Sequence, residues 1–338
     1  MSNYLFWPAM LAGFGITALL GWWMIPFLHK LKFGQTIREV GPSWHKKKQG
    51  TPTMGGLMFI AGTCAAVCAC IPVYYSLAGR ETPLMMTKIF GGLAMAVGYG
   101  AIGFMDDYIG IVKKRNLGLT ERQKLILQFL VAAAYLFTLR LAGDDTATVI
   151  PFVGRVELGL FYYPLAAVLI VGLTNAVNFT DGIDGLNATV SLLVFGSLGL
   201  CAGLLSMTGL SAMGLAAAAA CLGFLLWNFH PAKVFMGDTG SLFLGGMAGA
   251  LAFGLDMPVL LLPAGLIYWA EILSVVMQVA YFKSTKRKYG EGRRLFKMTP
   301  IHHHFEMCKW SEVKICGVFG LVTLLGCAAA VGAVVWGV

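Results

Sequence analysis

Residues 158–205 read LGLFYYPLAAVLIVGLTNAVNFTDGIDGLNATVSLLVFGSLGLCAGLL, and this stretch decides the fold. Two apolar runs, 158–173 and 188–205, enclose a polar segment, 175–187, that contains two aspartates and three asparagines. With its flanking residues, each run approaches the roughly 20 residues with which an α-helix crosses a bilayer. Ionisable groups are expensive to place at a membrane edge, so the segment indicates a functional site, unless it is an ordinary polar loop between helices.

The composition of the whole chain fits a membrane protein. Of its 338 residues 58% are hydrophobic and 12% are charged, whereas a soluble domain has about 25% charged residues. We predict an all-α polytopic membrane protein in which residues 1–338 form one integral membrane domain. The ten predicted spans are roughly 4–28, 53–73, 88–105, 123–142, 158–177, 188–206, 211–229, 239–255, 258–281 and 313–337. The eight cysteines include no CxxC pair, which excludes a zinc ribbon.

The distribution of basic residues predicts the orientation. An even number of spans places both termini on one side; if that side is the exterior, only Arg80, Lys88, Arg140 and Arg155 of the 25 lysines and arginines lie outside. Cytoplasmic loops retain positive charge, so we expect both termini on the periplasmic side. The net charge of +9 then lies mainly on the cytoplasmic face, where it suits anionic lipids and phosphorylated substrates and does not indicate nucleic-acid binding.

Two cytoplasmic loops have residues that suit phosphates or cations. In residues 43–56 a lysine run leads into Thr-Pro-Thr and two glycines; Lys48 and Thr53 are candidate phosphate contacts, although the lysines could be only a topology signal. Asp106 and Asp107 close the third span. Adjacent carboxylates suit a divalent cation or proton transfer; the alternative is two solvated acids balanced by the basic residues 113–115.

The polar segment itself offers a third set of ligands. Asn178, Asp181 and Asp184 recur every third residue, so a helical turn would place them near one face. Gly182 and Gly185 allow close approach of a ligand or an irregular backbone.

Two further loops complete the set. Asp238 precedes Thr-Gly-Ser at the start of the eighth span, where it could be an N-cap. The other acidic loops on this face favour a magnesium ligand instead, since Mg²⁺ takes one or two carboxylates plus substrate phosphates. Phe235 offers a stacking face for a planar base. The basic loop that follows span nine contains three consecutive histidines without HExxH spacing, which favours diphosphate binding or proton transfer over a zinc protease.

Five motifs together resemble a known family. They are GTPTMGG (50–56), DDY (106–108), NFTDGIDGL (178–186), FHPAKVFMGDTGS (229–241) and MTPIHHHFE (298–306). In this order, over nearly the whole chain, they resemble the phospho-N-acetylmuramoyl-pentapeptide transferases, which belong to the polyprenyl-phosphate N-acetylhexosamine-1-phosphate transferases. The resemblance implies a ten-helix, homodimeric enzyme of the bacterial inner membrane with an active site in a cytoplasmic-face cleft. It also implies Mg²⁺-dependent transfer of phospho-MurNAc-pentapeptide from UDP-MurNAc-pentapeptide to undecaprenyl phosphate, giving lipid I and UMP.

The resemblance also implies roles for individual residues. Asp238 resembles the direct magnesium ligand, with Asp106, Asp107 or Asp184 as possible further ligands. Asp106 resembles the base toward the lipid phosphate, with Asp107 as its companion. The remaining residues are expected as follows: Asn178, Asp181 and Asp184 at the nucleotide and metal; Phe235, Gly182, Ile183, Leu186 and Asn228 around uracil; and Lys48, Thr53, His302, His303 and His304 at the diphosphate and sugar, with His302 also in the catalytic group.

Two alternatives are weighed against this interpretation. A sister transferase would move GlcNAc-1-phosphate to the same lipid, but the MTPIHHHFE loop favours the MurNAc-pentapeptide enzyme. A secondary transporter would place its polar groups near the bilayer midplane in paired repeats, whereas these acids lie at the membrane edge. Glu271 is the one acid predicted at mid-membrane, where it would be a helix-packing residue or contact the lipid phosphate.

Overall fold

The computed structural model describes residues 3–31, 50–79, 82–112 and 118–338. The helices are α1 (Asn3–Lys30), α2 (Gly56–Ala78), α3 (Pro83–Met86), α4 (Gly92–Val112), α5 (Glu121–Leu141), α6 (Tyr162–Thr180), α7 (Leu186–Leu204), α8 (Thr208–Asn228), α9 (Gly237–Gly254), α10 (Leu261–Ala264), α11 (Leu266–Tyr289), α12 (Ile301–Met307) and α13 (Glu312–Gly337). A π-helical turn, Thr87–Gly91, joins α3 to α4. One antiparallel hairpin, β1 (Ala147–Ile150) and β2 (Gly154–Glu157), pairs Ala147 with Glu157; the sequence had not indicated it.

The described residues include nine helical segments long and apolar enough to cross a membrane, which confirms the polytopic all-α class. The eighth predicted span, 239–255, is not among these nine; it forms α9, in which every residue from Thr239 to Gly254 is buried. Six glycines and a polar first turn lower the mean hydropathy of this 18-residue helix. The helix lies inside the bundle, enclosed by other helices.

Small residues let α9 approach its neighbours closely. A Cβ on Gly240 would lie 2.9 Å from the Gly56 Cα of α2, and a Cβ on Gly245 would lie 2.5 Å from the Thr174 Cα of α6. A Cβ on Gly103 of α4 would lie 2.6 Å from the backbone nitrogen of Thr239. Such small-residue contacts are typical of packing between membrane helices. They bring the first turn of α9 against α2 and α4.

The ninth span differs most from its predicted limits. Instead of one helix over 258–281, a 3₁₀ turn (Pro258–Leu260) and α10 precede a break at Gly265, and α11 continues to Tyr289. Prolines at 258 and 263 and the glycine at 265 explain the broken start, because proline lacks the N–H that helix continuation requires. Four of the residues 283–288 are lysine or arginine, which are good helix formers, so α11 extends past its apolar part.

A buried ion pair closes the bundle at the C-terminal end of α9. Lys88, 3% exposed, donates to both carboxylate oxygens of Asp256 at 2.6 and 2.7 Å and lies 3.5 Å from Asp144. Asp256 follows α9, and Asp238 begins it. Eighteen residues of helix separate the two aspartates by about 27 Å, so this cluster is remote from the predicted site.

Candidate active site

The first and fourth predicted loops pair through their backbones. Within residues 52–56, Gly55 N donates to Phe235 O at 2.8 Å, and Pro52 O accepts from Phe235 N at 2.8 Å. This pairing leaves the Phe235 side chain partly exposed and brings the buried Thr53 hydroxyl to the start of α9, where a Cβ on Gly237 would lie 2.7 Å from it. Gly237 has φ +71°, in the region that favours glycine.

Asp107 binds the N-terminus of α9. Its Oδ2 accepts from the Thr239 N–H at 2.9 Å and from the Thr239 hydroxyl at 2.6 Å, and its Oδ1 accepts from the Asp238 N–H at 3.3 Å. A carboxylate at this position satisfies free N–H groups and interacts favourably with the helix dipole. Asp107 of α4 therefore takes the capping role that Asp238 could have had, and Asp238 lies one residue inside the helix.

Lys124 joins two of the predicted carboxylates. Its ammonium group donates to Oδ2 of Asp106 at 3.1 Å and to Oδ2 of Asp238. The other oxygen of Asp106 accepts from Leu119 N at 2.7 Å, and the other oxygen of Asp238 accepts from Asn178 Nδ2 at 3.0 Å. Residues from α4, α5, α6 and α9 therefore meet around one positive charge.

Asp181 lies at the C-terminal end of α6 with its side chain partly exposed. Burial by surrounding protein, and then the negative charge of neighbouring carboxylates, Asp238 first, raise the pKa of the Asp181 carboxyl well above its usual range. Electrostatic proximity to both Asp238 and Asp184 makes Asp181 the link between the two halves of the site. A cation bound there would reverse this effect, since an opposite charge favours the ionised carboxylate.

Asp184 belongs to a second polar cluster. One of its oxygens accepts from Ala232 N at 3.0 Å and lies 2.9 Å from His230 Nδ1, while its N–H donates to Glu312 Oε2 at 2.9 Å. The ligand atoms of Asp184, His230 and Glu312 lie within 4.8 Å of one another, a spacing that can hold a metal ion. The predicted common face for Asn178 and Asp184 is wrong, because α6 ends at Thr180 and the chain turns before α7.

Asn228 ties this cluster to the neighbouring loop. Its Oδ1 accepts from Gly185 N at 3.2 Å, and its Nδ2 donates to Val234 O at 2.9 Å. Gly185 has φ +75°. Ile183 and Leu186 are buried beside it. Ile183, Leu186 and Asn228, which were predicted to bind substrate, therefore lie together in the wall of the site.

The histidines point in different directions. His302 is buried and lies against Gly182: a Cβ on Gly182 would overlap the imidazole Nε2. His303 Nδ1 lies 2.6 Å from Glu306 Oε2, and His304 Nδ1 accepts from Lys297 N at 3.1 Å. Only His302 packs directly on the turn that joins α6 to α7.

The structure brings together most of the predicted residues. Asp106, Asp107, Asn178, Asp181 and Asp238 form one cluster, and Thr53 borders it. Lys48 lies outside the described residues. Sequence reasoning missed several groups at the site: Lys124, Thr239, His230 and Glu312. Glu312 sits in the first turn of α13, where an acid interacts favourably with the helix dipole and so has an ordinary explanation. No local pattern distinguishes Lys124 from the other basic residues, and His230 belongs to a quoted motif without an assigned role.

Comparison with known proteins identifies the class first. Residues 89–256 match the family model of glycosyl transferase family 4. The matched region includes both carboxylate clusters except Glu312. The protein is therefore a transferase embedded in a membrane.

More specific matches identify the family. Residues 48–60 match signature 1 of phospho-N-acetylmuramoyl-pentapeptide-transferase. The enzyme of that name from Clostridium perfringens strain SM101 is 46% identical over 95% of this chain and 94% of its own length. Those of Geobacillus kaustophilus and Halalkalibacterium halodurans are 44% and 42% identical, each over 97% of both chains. The chain belongs to the phospho-N-acetylmuramoyl-pentapeptide-transferase family, and the comparisons do not favour the sister transferase or the transporter.

Proposed function

We propose that this chain, as one domain over residues 1–338, transfers phospho-MurNAc-pentapeptide from UDP-MurNAc-pentapeptide to undecaprenyl phosphate, forming lipid I and UMP in peptidoglycan biosynthesis. The observation that carries the proposal is the shared contact of Lys124 with Asp106 and Asp238. Phosphoryl transfer requires groups that position phosphates and balance their charge, with little covalent chemistry by the protein. The cluster offers both, at the end of membrane helices where a lipid phosphate can meet a water-soluble nucleotide.

The residues around Lys124 fit Mg²⁺ as the cofactor. Asp238, Asp106, Asp181 and Asn178 offer oxygen ligands only, which Mg²⁺ prefers, whereas the cluster at Asp184 includes an imidazole nitrogen. The ammonium group of Lys124 between two carboxylates supports this position as one that favours positive charge. We assign Asp238 as the principal ligand, with Asp106 or Asp181 beside it. When bound, the ion stabilises negative charge on the diphosphate and on the departing UMP oxygen.

The protein groups support direct transfer. A phosphate monoester has a second pKa of about 6, so the lipid phosphate presents an ionised oxygen near neutral pH. This oxygen attacks the β-phosphorus of the UDP-sugar, and the bond from that phosphorus to the oxygen of UMP breaks. Asp106 accepts any remaining proton of the lipid phosphate, and Lys124 balances charge between the acids. Both oxygens of Asp107 are occupied by α9, so Asp107 positions Asp238 and is a poor nucleophile for a two-step route.

The second cluster is assigned to the nucleotide. Phe235 is partly exposed, its backbone pairs with Pro52 and Gly55 on either side of Thr53, and its ring offers a face for uracil. Gly182, Ile183, Asp184, Leu186 and Asn228 form the adjoining wall. Thr53, His303 and His304, together with Lys48, are assigned to the diphosphate and sugar.

The setting proposed for the enzyme is the bacterial inner membrane. Basic residues concentrate in the loops that carry the site, and cytoplasmic loops retain positive charge. This supports a cytoplasmic active site, periplasmic termini and access to undecaprenyl phosphate from the bilayer. A homodimer remains part of the proposal on the family resemblance alone.

A reconstituted assay tests the reaction. The protein in lipid vesicles receives undecaprenyl phosphate, Mg²⁺ and either UDP-MurNAc-pentapeptide or UDP-GlcNAc, and released UMP is measured. We expect release only with UDP-MurNAc-pentapeptide and only when the lipid is present; release with UDP-GlcNAc alone would contradict the proposal.

Variants and isotope labelling test the site and the route. Asp238→Asn should abolish release, whereas Asp145→Asn should not, because Asp145 is an exposed acid paired with Arg155 beside the hairpin. Equal activity of the two variants would refute the site assignment. A radiolabelled phospho-sugar bound covalently to protein without lipid would overturn the direct route.

A further inference from the structure

Glu271 of α11 is a buried carboxylate that the proposed reaction does not use. It is 0% exposed, and its Oε1 has no hydrogen-bond partner. Among the described residues its one ion-pair partner is His302, whose Nδ1 lies 3.0 Å from Oε2. The backbone N–H of His302 points to the same oxygen at 3.4 Å. Since a buried carboxylate is unfavourable without a compensating partner, this contact requires an explanation.

His302 connects Glu271 to the site. The imidazole is 0% exposed and is packed between Glu271 and the backbone of Gly182, where a Cβ would lie 3.1 Å from Cδ2 and closer to Nε2. Neither ring nitrogen forms a hydrogen bond with a described residue. Nδ1 is in ion-pair contact with Oε2 of Glu271 at 3.0 Å, but its N–H direction is unfavourable for a hydrogen bond, so the pair is held by charge and packing. Gly182 separates Asp181 from the turn that leads to Asp184. The orientation of this ring therefore bears on both carboxylate clusters.

The chemistry of the pair fixes one proton. An ionised carboxylate can only accept hydrogen bonds, so the nitrogen beside Glu271 carries the hydrogen in both the neutral and the cationic imidazole. The proton on one ring nitrogen determines what the other can do. With Nδ1–H facing Glu271, the other ring nitrogen, Nε2, faces the turn at Gly182.

We propose that Glu271 is a positioning residue: its carboxylate holds the His302 imidazole with the proton on Nδ1 and with Nε2 against the turn that carries Asp181 and Asp184. This deepens the proposed function and rests on it for the effect on turnover. Glu271 itself does not touch the reacting groups. Its loss should therefore lower kcat more than it changes KM for the nucleotide sugar.

Ring-nitrogen NMR and kinetics test the proposal together. In ¹⁵N-histidine-labelled full-length protein in nanodiscs, with the His302 signal assigned from a His302→Gln spectrum, we expect Nδ1 to be protonated. Glu271→Gln, whose amide can donate to Nδ1, should move the proton to Nε2 and lower kcat about ten- to hundredfold, the range for loss of a group that orients a histidine. Glu271→Asp keeps the acceptor and should retain protonated Nδ1 and recover part of kcat.

Ser274→Ala is the matched control. Ser274 lies one turn further along α11, is buried, and bonds to the Glu271 carbonyl oxygen at 2.6 Å without contacting His302. It should leave the ring signal and kcat unchanged. Unprotonated Nδ1 in the wild-type protein, or a Glu271→Gln variant indistinguishable from Ser274→Ala in both measurements, would overturn the inference. The ring signal needs no substrate, so it decides the inference even if the wild-type protein fails to release UMP from UDP-MurNAc-pentapeptide.

Discussion

Gly103→Ala should inactivate the enzyme although it adds only one methyl group and changes no charge. The new Cβ would lie 2.6 Å from the Thr239 backbone nitrogen and closer still to the Asp238 carbonyl group, whereas ordinary contact begins at 3.4 Å. Both partners are backbone, so α4 and the first turn of α9 must separate by about 1 Å. That shift loosens the 2.9 Å bond from Thr239 N to Asp107 and moves Asp238 relative to Asp106.

The expected loss can be estimated. A misplacement of about 1 Å at a reacting centre costs on the order of 100-fold in rate. Helix propensity acts in the other direction, since glycine to alanine in a helix contributes up to about 1 kcal/mol. UMP release in vesicles should therefore fall at least about 100-fold, while α4 keeps its helical structure.

Gly172→Ala is the control for this prediction. Gly172 lies in α6, and a Cβ there would meet nothing within 4 Å. This variant should retain full activity. If Gly103→Ala releases UMP within threefold of Gly172→Ala, the close approach of α4 to α9 does not position the carboxylates, and the reasoning fails.

Three further predictions concern charge. Lys124→Met should reduce UMP release by more than about 100-fold, because two close carboxylates lose their shared positive charge; activity within tenfold of the wild type would contradict this. Chelation of divalent ions should stop turnover. Excess Mg²⁺ should not restore release to Asp238→Asn, whereas His230→Ala should keep the wild-type Mg²⁺ concentration for half-maximal rate; the opposite pattern would place the ion in the second cluster. Lys88→Met should lower the free energy of unfolding by about 3 kcal/mol and leave kcat unchanged. This value is at the low end for breaking a buried ion pair, because Asp256 is partly exposed. A thermal-unfolding midpoint equal to that of the wild type would refute it.

Local signals predicted much of the helical framework. The capping box of Thr120 and Gln123 begins α5 at Glu121, two residues before the predicted start of the fourth span, and its hydrogen bonds involve only neighbouring residues. The apolar runs predicted the spans for the same reason, since hydropathy over about 20 residues needs no tertiary contact. The ends of the ninth span were predicted wrongly because average hydropathy does not detect the helix break near Gly265 or the basic residues that extend the helix.

The roles of individual carboxylates required the tertiary structure. Asp106 and Asp107 are adjacent, but successive residues on a helix point about 100° apart. One therefore meets Lys124 of α5 and the other the N-terminus of α9. Spacing of three residues likewise failed for Asp184, since α6 ends before it.

By itself the sequence determined the membrane class, the helical segments and the loops that carry polar residues, because these depend on composition and on short-range hydrogen bonding. Only the tertiary structure decided which of those side chains meet. Lys124 between two acids and Glu271 beneath His302 join residues 18 to 114 positions apart. Such contacts depend on how the helices pack, and no local pattern encodes them.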